Sequence, residues 1–332
     1  MGGRGRPPGR GAARRPEIPA PMRPRRPGRR RRRPPRRSGG GRTFFVVMLL
    51  VLGFALFYFF GGDTLLAPFT SDREAPVVLE DGQIMVSFID VGQGDSILVR
   101  SNNNAVLIDG GDHSARDAVM GYLRAAQVDF LDYVVATHPH ADHIGGLVTV
   151  LGQVSVGRVM MPDVEHDTDT FERFLAVIEN NNHEVVFPLA GDSLRAGIIN
   201  MSVLAPSGTP HSNINNHSIV LRLTHGETSF IFTGDTEREA EEEMVAGRAN
   251  LRSNVLKISH HGSRTSTTQR FLDAVDPAAA VISVGANNNF GHPHAEVTQR
   301  LEERGIPIYR TDTHGTIRML TDGQSIERFE NN

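Results

Sequence analysis

The chain has 332 residues, 39% hydrophobic and 22% charged, with no cysteine and a formal net charge of −3. The lack of cysteine excludes a disulfide scaffold and thiolate metal sites, leaving nitrogen and oxygen donors of the kind that suit Zn, Mn or Fe. The small net charge hides opposite halves: residues 1–42 carry 16 Arg against one acid, Glu17, which leaves 19 basic and 37 acidic residues, or −18, in the remainder and points to parts in different environments.

Residues 1–42 hold almost nothing to bury, and their Arg, Pro and Gly content predicts a disordered basic tail. Phe44 to Phe60 follows as 17 residues without a charge. Extended to residues 43–62, it is long enough for one transmembrane helix across a hydrocarbon core of roughly 30 Å. A cleaved signal peptide fits poorly, because the basic region is too long, the apolar run exceeds the usual length and no A-x-A site follows. The positive-inside rule keeps the tail cytoplasmic and puts the acidic remainder outside the cell membrane, in a single-pass arrangement. The tail is expected to set topology and attract anionic lipid headgroups. It has no interleaved aromatics with which to stack nucleic-acid bases.

Residues 63–80 read as a linker and residues 81–330 as one domain, large enough to bury its own core. Met85–Val91, Ser96–Arg100 and Ala105–Ile108 read as strands separated by Gly-Gln-Gly-Asp and Ser-Asn-Asn-Asn turns. Asp90 and Asp95 fall where local turn formers are common. A helix over Ala115–Ala126 leads into an apolar strand, Leu131–Ala136. Ala136 to Gly146 then reads Ala-Thr-His-Pro-His-Ala-Asp-His-Ile-Gly-Gly, which puts His138, His140, Asp142 and His143 within six residues. Side chains at the end of a buried strand gather above the sheet, and imidazole beside carboxylate suits a divalent cation. One ion cannot easily use four groups from so short a run. Alternation along an extended stretch gives His138 and His140 to one ion, and Asp142 and His143 to a neighbour. Two divalent ions, Zn or Mn, are therefore expected.

Strands at Arg158–Met161 and Glu184–Phe187 flank a helix over Thr170–Asn180, and Ile198–Leu204 adds another strand. Asn213-Ile-Asn-Asn-His217-Ser218 precedes a hairpin, Ile219–Thr224 and Ser229–Thr233, that delivers Asp235 to the rim. A helix over Glu237–Val245 follows, then a strand over Asn254–Ser259 that ends in His260-His261-Gly262. Ala279–Val284, a helix over His294–Arg304 and two closing strands finish the chain. His166, His183, His211, His225 and His314 have no partner visible in the sequence and read as surface. Lys257 is the only lysine among 35 basic residues. If this is not compositional drift, its compact ammonium is expected to approach a phosphoryl oxygen.

Five stretches carry a resemblance: Phe88 to Ser96 (FIDVGQGDS), Leu107 to Gly111 (LIDGG), the His138–His143 run, Phe232 to Asp235 (FTGD) and Leu256 to Ser263 (LKISHHGS). Together they resemble the metallo-β-lactamase superfamily and, within it, the domain of ComEC-type DNA-uptake (competence) proteins and their stand-alone relatives, over about Met85 to Met319. The resemblance implies an α/β fold, the metallo-β-lactamase αββα sandwich, preceded here by the basic tail and the transmembrane helix. It implies that Asp109 braces the ligand loop and that Asp235 bridges two ions. One of His260 and His261 should complete the second ion's shell; His261 is favoured, with His260 orienting it or meeting substrate. His292, in Gly291-His-Pro-His294, is expected to bind a substrate oxygen or give a proton to the leaving group, unless it is a structural His. Most members supply a third His to the first ion just before the hairpin. Here that register falls on Asn213–Asn216, as in ComEC-type sequences, and both the Asn215 carbonyl oxygen and the His217 ring are candidates.

The resulting expectation is a metal-dependent phosphodiesterase, a nuclease acting on DNA outside the cytoplasmic membrane. A hydroxide bridging the ions would attack phosphorus, with Asp142, Lys257, His292 and His260 in the catalytic set. The DNA link rests on the resemblance alone. A charge of −18 over residues 43–332 repels a polyanion, which keeps open nucleotides or phosphorylcholine groups on wall polymers as substrates. The same ligand run would also suit a lactam, lactone or thioester hydrolase, or a non-catalytic metal-binding domain. One spanning segment makes no DNA channel, so a role in uptake needs a separate membrane transport partner.

Overall fold

The structure, a computed structural model, describes residues 77–247 and 249–329. The expected basic tail, the apolar segment 43–62 and the linker as far as residue 76 lie outside the described residues. Among the described residues no helix is long and apolar enough to cross a membrane. Within residues 77–80, expected as the end of the linker, Leu79 is buried, and the Arg100 guanidinium donates to the Val77 carbonyl at 2.6 Å.

Two sheets face each other. The first runs, in spatial order, β15 (Ile326–Phe329), β14 (Ile317–Thr321), β1 (Ile84–Phe88), β2 (Ile97–Arg100), β3 (Ala105–Ile108), β4 (Phe130–Val135), β5 (Ser155–Met160) and β6 (Val185–Val186). The second runs β13 (Ile308–Arg310), β12 (Ala279–Ile282), β11 (Val255–Lys257), β10 (Thr228–Phe232), β9 (Val220–His225), β8 (Ile199–Ala205) and β7 (Ser193–Ala196). Helices α1 (Arg116–Ala125), α2 (Ala141–Ile144), α3 (Leu147–Gln153) and α4 (Asp169–Asn180) belong to the first sheet; α5 (Arg238–Ala246), α6 (Gln269–Val275) and α7 (Ala295–Glu302) belong to the second.

Three apolar layers explain this αββα arrangement, which is the one expected from the sequence. Strands covered on both faces are mainly apolar, as in β1 and β10, whose residues are all buried and whose polar members are limited to Ser87, Thr228 and Ser229. Val86, Phe88, Leu221, Phe230 and Phe232 fill the space between the sheets, with the Phe88 and Phe232 rings 6.2 Å apart. On the outer face of the first sheet, Leu107 and Leu131 meet Val119, Leu123 and Phe174. On that of the second, Leu256 and Ile282 meet Met244, Phe271 and Val297. Helix α4 shows the local logic: the Thr168 hydroxyl accepts from the Phe171 N–H as its cap, and Phe171, Phe174 and Ile178 share the buried face.

Strand β7, helix α6 and a third closing strand go beyond the elements expected from the sequence. β7 is a four-residue edge with two buried side chains, and α6 is two turns long, so neither has room to display a periodicity. What matters for function is register. β3, β4 and β5 are parallel neighbours, with Val135 paired to both Ile108 and Met160; β10, β11 and β12 are parallel in the other sheet. Their C-terminal ends therefore open towards one edge of the sandwich, and each hands on to a functional loop.

Glu241 on α5 secures the loop that leads from β11 to α6. It is fully buried, and its carboxylate accepts from the backbone N–H of Thr267 at 2.5 Å and of Thr268 at 2.8 Å. The Arg300 guanidinium donates to the Thr267 carbonyl. This clamp holds a β-branched residue at φ +48°, in the left-handed region. Burial pushes the Glu241 carboxyl above its ordinary value of 4.5, against the pull of the Thr268 and Thr267 donors. The folded state thus holds this proton more tightly than the unfolded chain, so the contribution of Glu241 to stability declines as pH rises above about 4.5. Urea unfolding of the wild type and Glu241→Gln between pH 4 and 7 checks this: the difference should shift in favour of Gln with rising pH, and parallel profiles would contradict it.

Candidate metal centre

The ligand loop is built on close backbone crossings. Gly110 N–H donates to the His143 carbonyl at 2.7 Å, and Gly146 N–H to the Gly111 carbonyl at 2.9 Å. A Cβ on Gly146 would sit 2.0 Å from the Gly110 oxygen, so the two Gly-Gly pairs exist to let these loops touch. Asp109, at the end of β3, is completely buried. Its carboxylate accepts from Thr137 N–H at 2.8 Å, Thr137 hydroxyl at 2.7 Å and His143 Nδ1 at 2.8 Å. His143 is thereby held with Nε2 turned inward.

That nitrogen faces Asp235, at the end of the turn after β10. Asp235 is 2% exposed and has four imidazoles around it. His143 Nε2 lies 3.3 Å from Oδ1, while His138 Nε2 (3.8 Å), His260 Nε2 (3.7 Å) and His261 Nε2 (3.5 Å) surround Oδ2. His140 Nδ1 is 3.0 Å from His138 Nε2, and Asp142 Oδ2 is 3.4 Å from His261 Nε2. The ligand atoms of His138, His143 and Asp235 fall within 4.8 Å of one another, as do those of Asp142, His143 and His261.

The donors suit divalent cations. His143 Nε2, His261 Nε2 and Asp235 Oδ1 are buried without a hydrogen-bond partner, a costly state for polar atoms that a shared cation would relieve. Burial opposes charge on His143 and His261, yet Asp235 in particular raises both well above the ordinary imidazole range. Burial works to raise Asp235, but His261 and His143 hold it well below the usual carboxylate range. Burial together with His143 keeps His138 neutral, as a ligand must be. The cluster is thus short of positive charge, and protons fill the deficit when no metal does.

His260 and His261 need not compete for one position. Both are left-handed, at φ +48° and +52°, and both present Nε2 to Asp235. His261 Nδ1 donates to the Ser283 carbonyl at 2.9 Å, and His260 Nδ1 lies 3.1 Å from Glu237 Oε1. Glu237 also accepts from Asn215 Nδ2 at 3.1 Å, leaving Asn215 Oδ1 buried without a partner. His217 stands elsewhere: its Nε2 accepts from the backbone N–H of His211 at 3.2 Å, and the structure does not bring it to the cluster.

Lys257 departs from expectation. Its side chain is 0% exposed, donates to the Gly234 carbonyl at 3.0 Å and forms an ion pair with Asp95. It lies beneath the ligands and does not line the cleft, so it cannot meet a phosphoryl oxygen from there. Asp95 is likewise no turn former; it is buried against Lys257 and 3.5 Å from His261 Nδ1. Asp90 does play the local part, accepting from Gly92 N–H at 3.0 Å.

A cavity of about 380 Å³ opens above the cluster, lined among others by His140, Asp142, His166, His260, Phe290 and His292. Burial and the neighbouring His260, His261 and His294 lower His292 from 6.5 to about 4, so the ring is neutral near pH 7. His166, expected at the surface, instead packs 5.4 Å from His140. Nothing in the spacing of His166, Glu237 or Phe290 announces this, because each reaches the site from a different loop.

The profile of the Metallo-beta-lactamase superfamily matches residues 89–286. The chain is similar to ComE operon protein 3 of Bacillus subtilis, 33% identical over 260 residues, covering 73% of this chain and 33% of that protein. Competence protein ComA of Neisseria gonorrhoeae is 34% identical over 255 residues, covering 76% and 34% respectively. The chain therefore spans about a third of the length of these curated relatives. Among solved structures, the metallo-beta-lactamase fold protein YhfI from Bacillus subtilis is similar at 13% identity and a TM-score of 0.49, over 71% of this chain and 99% of that one.

The buried Lys257–Asp95 pair makes a prediction that separates support from substrate contact. Lys257→Met should lower stability by about 3 kcal/mol by stranding a buried carboxylate, and adding Asp95→Asn should recover part of that loss. Chemical unfolding of both variants is the check. Wild-type stability in Lys257→Met, with activity alone reduced, would contradict this placement.

Proposed function

The chain belongs to the metallo-beta-lactamase superfamily, and from that premise we propose that it is a metal-dependent phosphodiesterase that cleaves DNA. The observation that carries the proposal is the buried carboxylate Asp235 with unsatisfied imidazoles and a second carboxylate, Asp142, gathered about it. In this reading His138 and His140 would hold one divalent ion, Zn or Mn, with His260 or the Asn215 carbonyl in place of the usual third His. Asp142, His143 and His261 would hold the other, and Asp235 would be shared by both. When bound, such ions supply Lewis acidity towards a phosphoryl oxygen and an activated water.

The protein's own groups do the rest. Asp109 and Ser283 fix the rings of His143 and His261, so the ligands need no reorganisation as charge develops. Neutral His292 is suited to donate a hydrogen bond to a substrate oxygen rather than to act as a protonated acid. The names of the competence relatives support DNA as substrate. The apolar segment 44–60 and the Arg tail support a domain anchored outside the cell membrane, with the tail near anionic headgroups and any transport left to a separate membrane partner. A second reading, small phosphodiesters such as nucleotides or phosphorylcholine groups, is favoured by one feature: none of the described residues lining the cleft is Lys or Arg.

Full-length protein, stripped with chelator and reloaded with Mn²⁺ or Zn²⁺, should cleave linear DNA, and Asp142→Ala should lower the rate on the order of 100-fold. Hydrolysis of bis-p-nitrophenyl phosphate without cleavage of any DNA would favour the second reading. Absence of both activities from folded, metal-loaded protein would overturn the phosphodiesterase reading.

A further inference from the structure

Phe290 is 63% exposed, and among the described residues lining the cleft it alone is a large apolar side chain. A lone exposed phenyl needs no explanation on most surfaces. This one is held in place. Asn288 donates to the Gly285 carbonyl at 3.0 Å and the His292 carbonyl at 2.7 Å, and its Oδ1 accepts from Phe290 N–H at 3.1 Å and His292 N–H at 3.0 Å. Gly285 N–H in turn donates to Gln93 Oε1, another cleft residue, at 3.2 Å. The Phe290 ring stacks on His292, with centroids 5.6 Å apart and planes at 23°. A four-bonded asparagine thus presents a flat, water-facing aromatic surface at the mouth of the metal cleft.

Among the described residues lining the cleft none is Lys or Arg, so affinity for a nucleic acid has to come from the ions and from contacts to the bases. Part of the ligand set also lies deep, His138 and His143 being 0% exposed, His261 1% and Asp235 2%, while His140 and Asp142 reach the cleft. Away from its ends, a duplex keeps its base faces stacked on each other and cannot offer one to Phe290 without unpairing. We propose that Phe290, backed by His292, is a base-stacking platform that makes single-stranded nucleic acid the substrate class, gripping an unpaired base beside the scissile phosphate. This inference rests on the nuclease reading above and adds its specificity.

The test uses full-length protein with Ca²⁺ replacing Mn²⁺ to slow turnover, and phosphorothioate strands carrying 2-aminopurine, whose fluorescence falls on stacking. Wild-type protein should quench the probe and bind a normal strand about tenfold more tightly than one abasic at the probed position. It should also bind the matched duplex at least about tenfold more weakly than the strand. Phe290→Ala should abolish the quench and the difference between normal and abasic strands, and Phe290→Tyr should restore both. Single strands cleaved under Mn²⁺ without quench, or with equal affinity for normal and abasic strands, would overturn the platform and leave the nuclease reading standing. Hydrolysis of bis-p-nitrophenyl phosphate by a protein that neither binds nor cleaves any strand would overturn both.

Discussion

Asp235 is a carboxylate taken almost wholly out of water and surrounded by imidazoles from two loops, His138 and His143 after β4 and His260 and His261 after β11. A buried negative charge is tolerated only when positive charge meets it. Both sheets contribute imidazoles to this one residue, so the packing of the sandwich and the geometry of the site are a single problem. Val86, Phe88, Phe230 and Phe232 between the sheets set the distance across which those imidazoles meet.

Beneath the ligands lies a second layer that fixes their orientation. Asp109 receives three donors and aims His143; Asp95 is held by Lys257 and lies beside His261; the Ser283 carbonyl receives His261 Nδ1. These groups are buried and cannot take part in a reaction directly. Their work is to remove rotational freedom from the rings above them, which lowers the entropy lost when an ion or a substrate is bound. Glu241 and Arg300 serve the loop after β11 in the same way, through the backbone of Thr267.

Much of this is legible in the sequence because the informative residues are local. The His138–His143 run and Gly145-Gly146 occupy one loop, and their spacing alone suggests two ions. The strands that carry them are apolar runs whose period and ends are easy to see. What is not legible depends on contacts between distant segments. Lys257 stands out as a lone lysine, but its direction is decided by Asp95, some 160 residues earlier. It points down into the sheet, whereas a substrate-facing ammonium would have to point up. His260 and His261 look like rivals because adjacent residues on a strand face opposite ways. The left-handed backbone at both positions breaks that rule and lets both reach Asp235. Phe290 gives no signal at all, since nothing in a run of three asparagines before it shows that one of them organises the loop.

The electrostatics divide by region. The domain is acidic overall, the described residues lining its cleft include no basic side chain beyond histidine, and burial lowers His292 while the carboxylates raise His143 and His261. Positive charge is therefore something the site must acquire, and an ion displaces protons from the raised imidazoles when it binds. The most direct test of the account is anomalous X-ray diffraction from crystals of the full-length protein grown with Mn²⁺. The account predicts two anomalous peaks, one on each side of Asp235, the first contacting His138 and His140 and the second Asp142 and His261. A single peak, or none with Asp235 bonded only to protonated histidines, would contradict it.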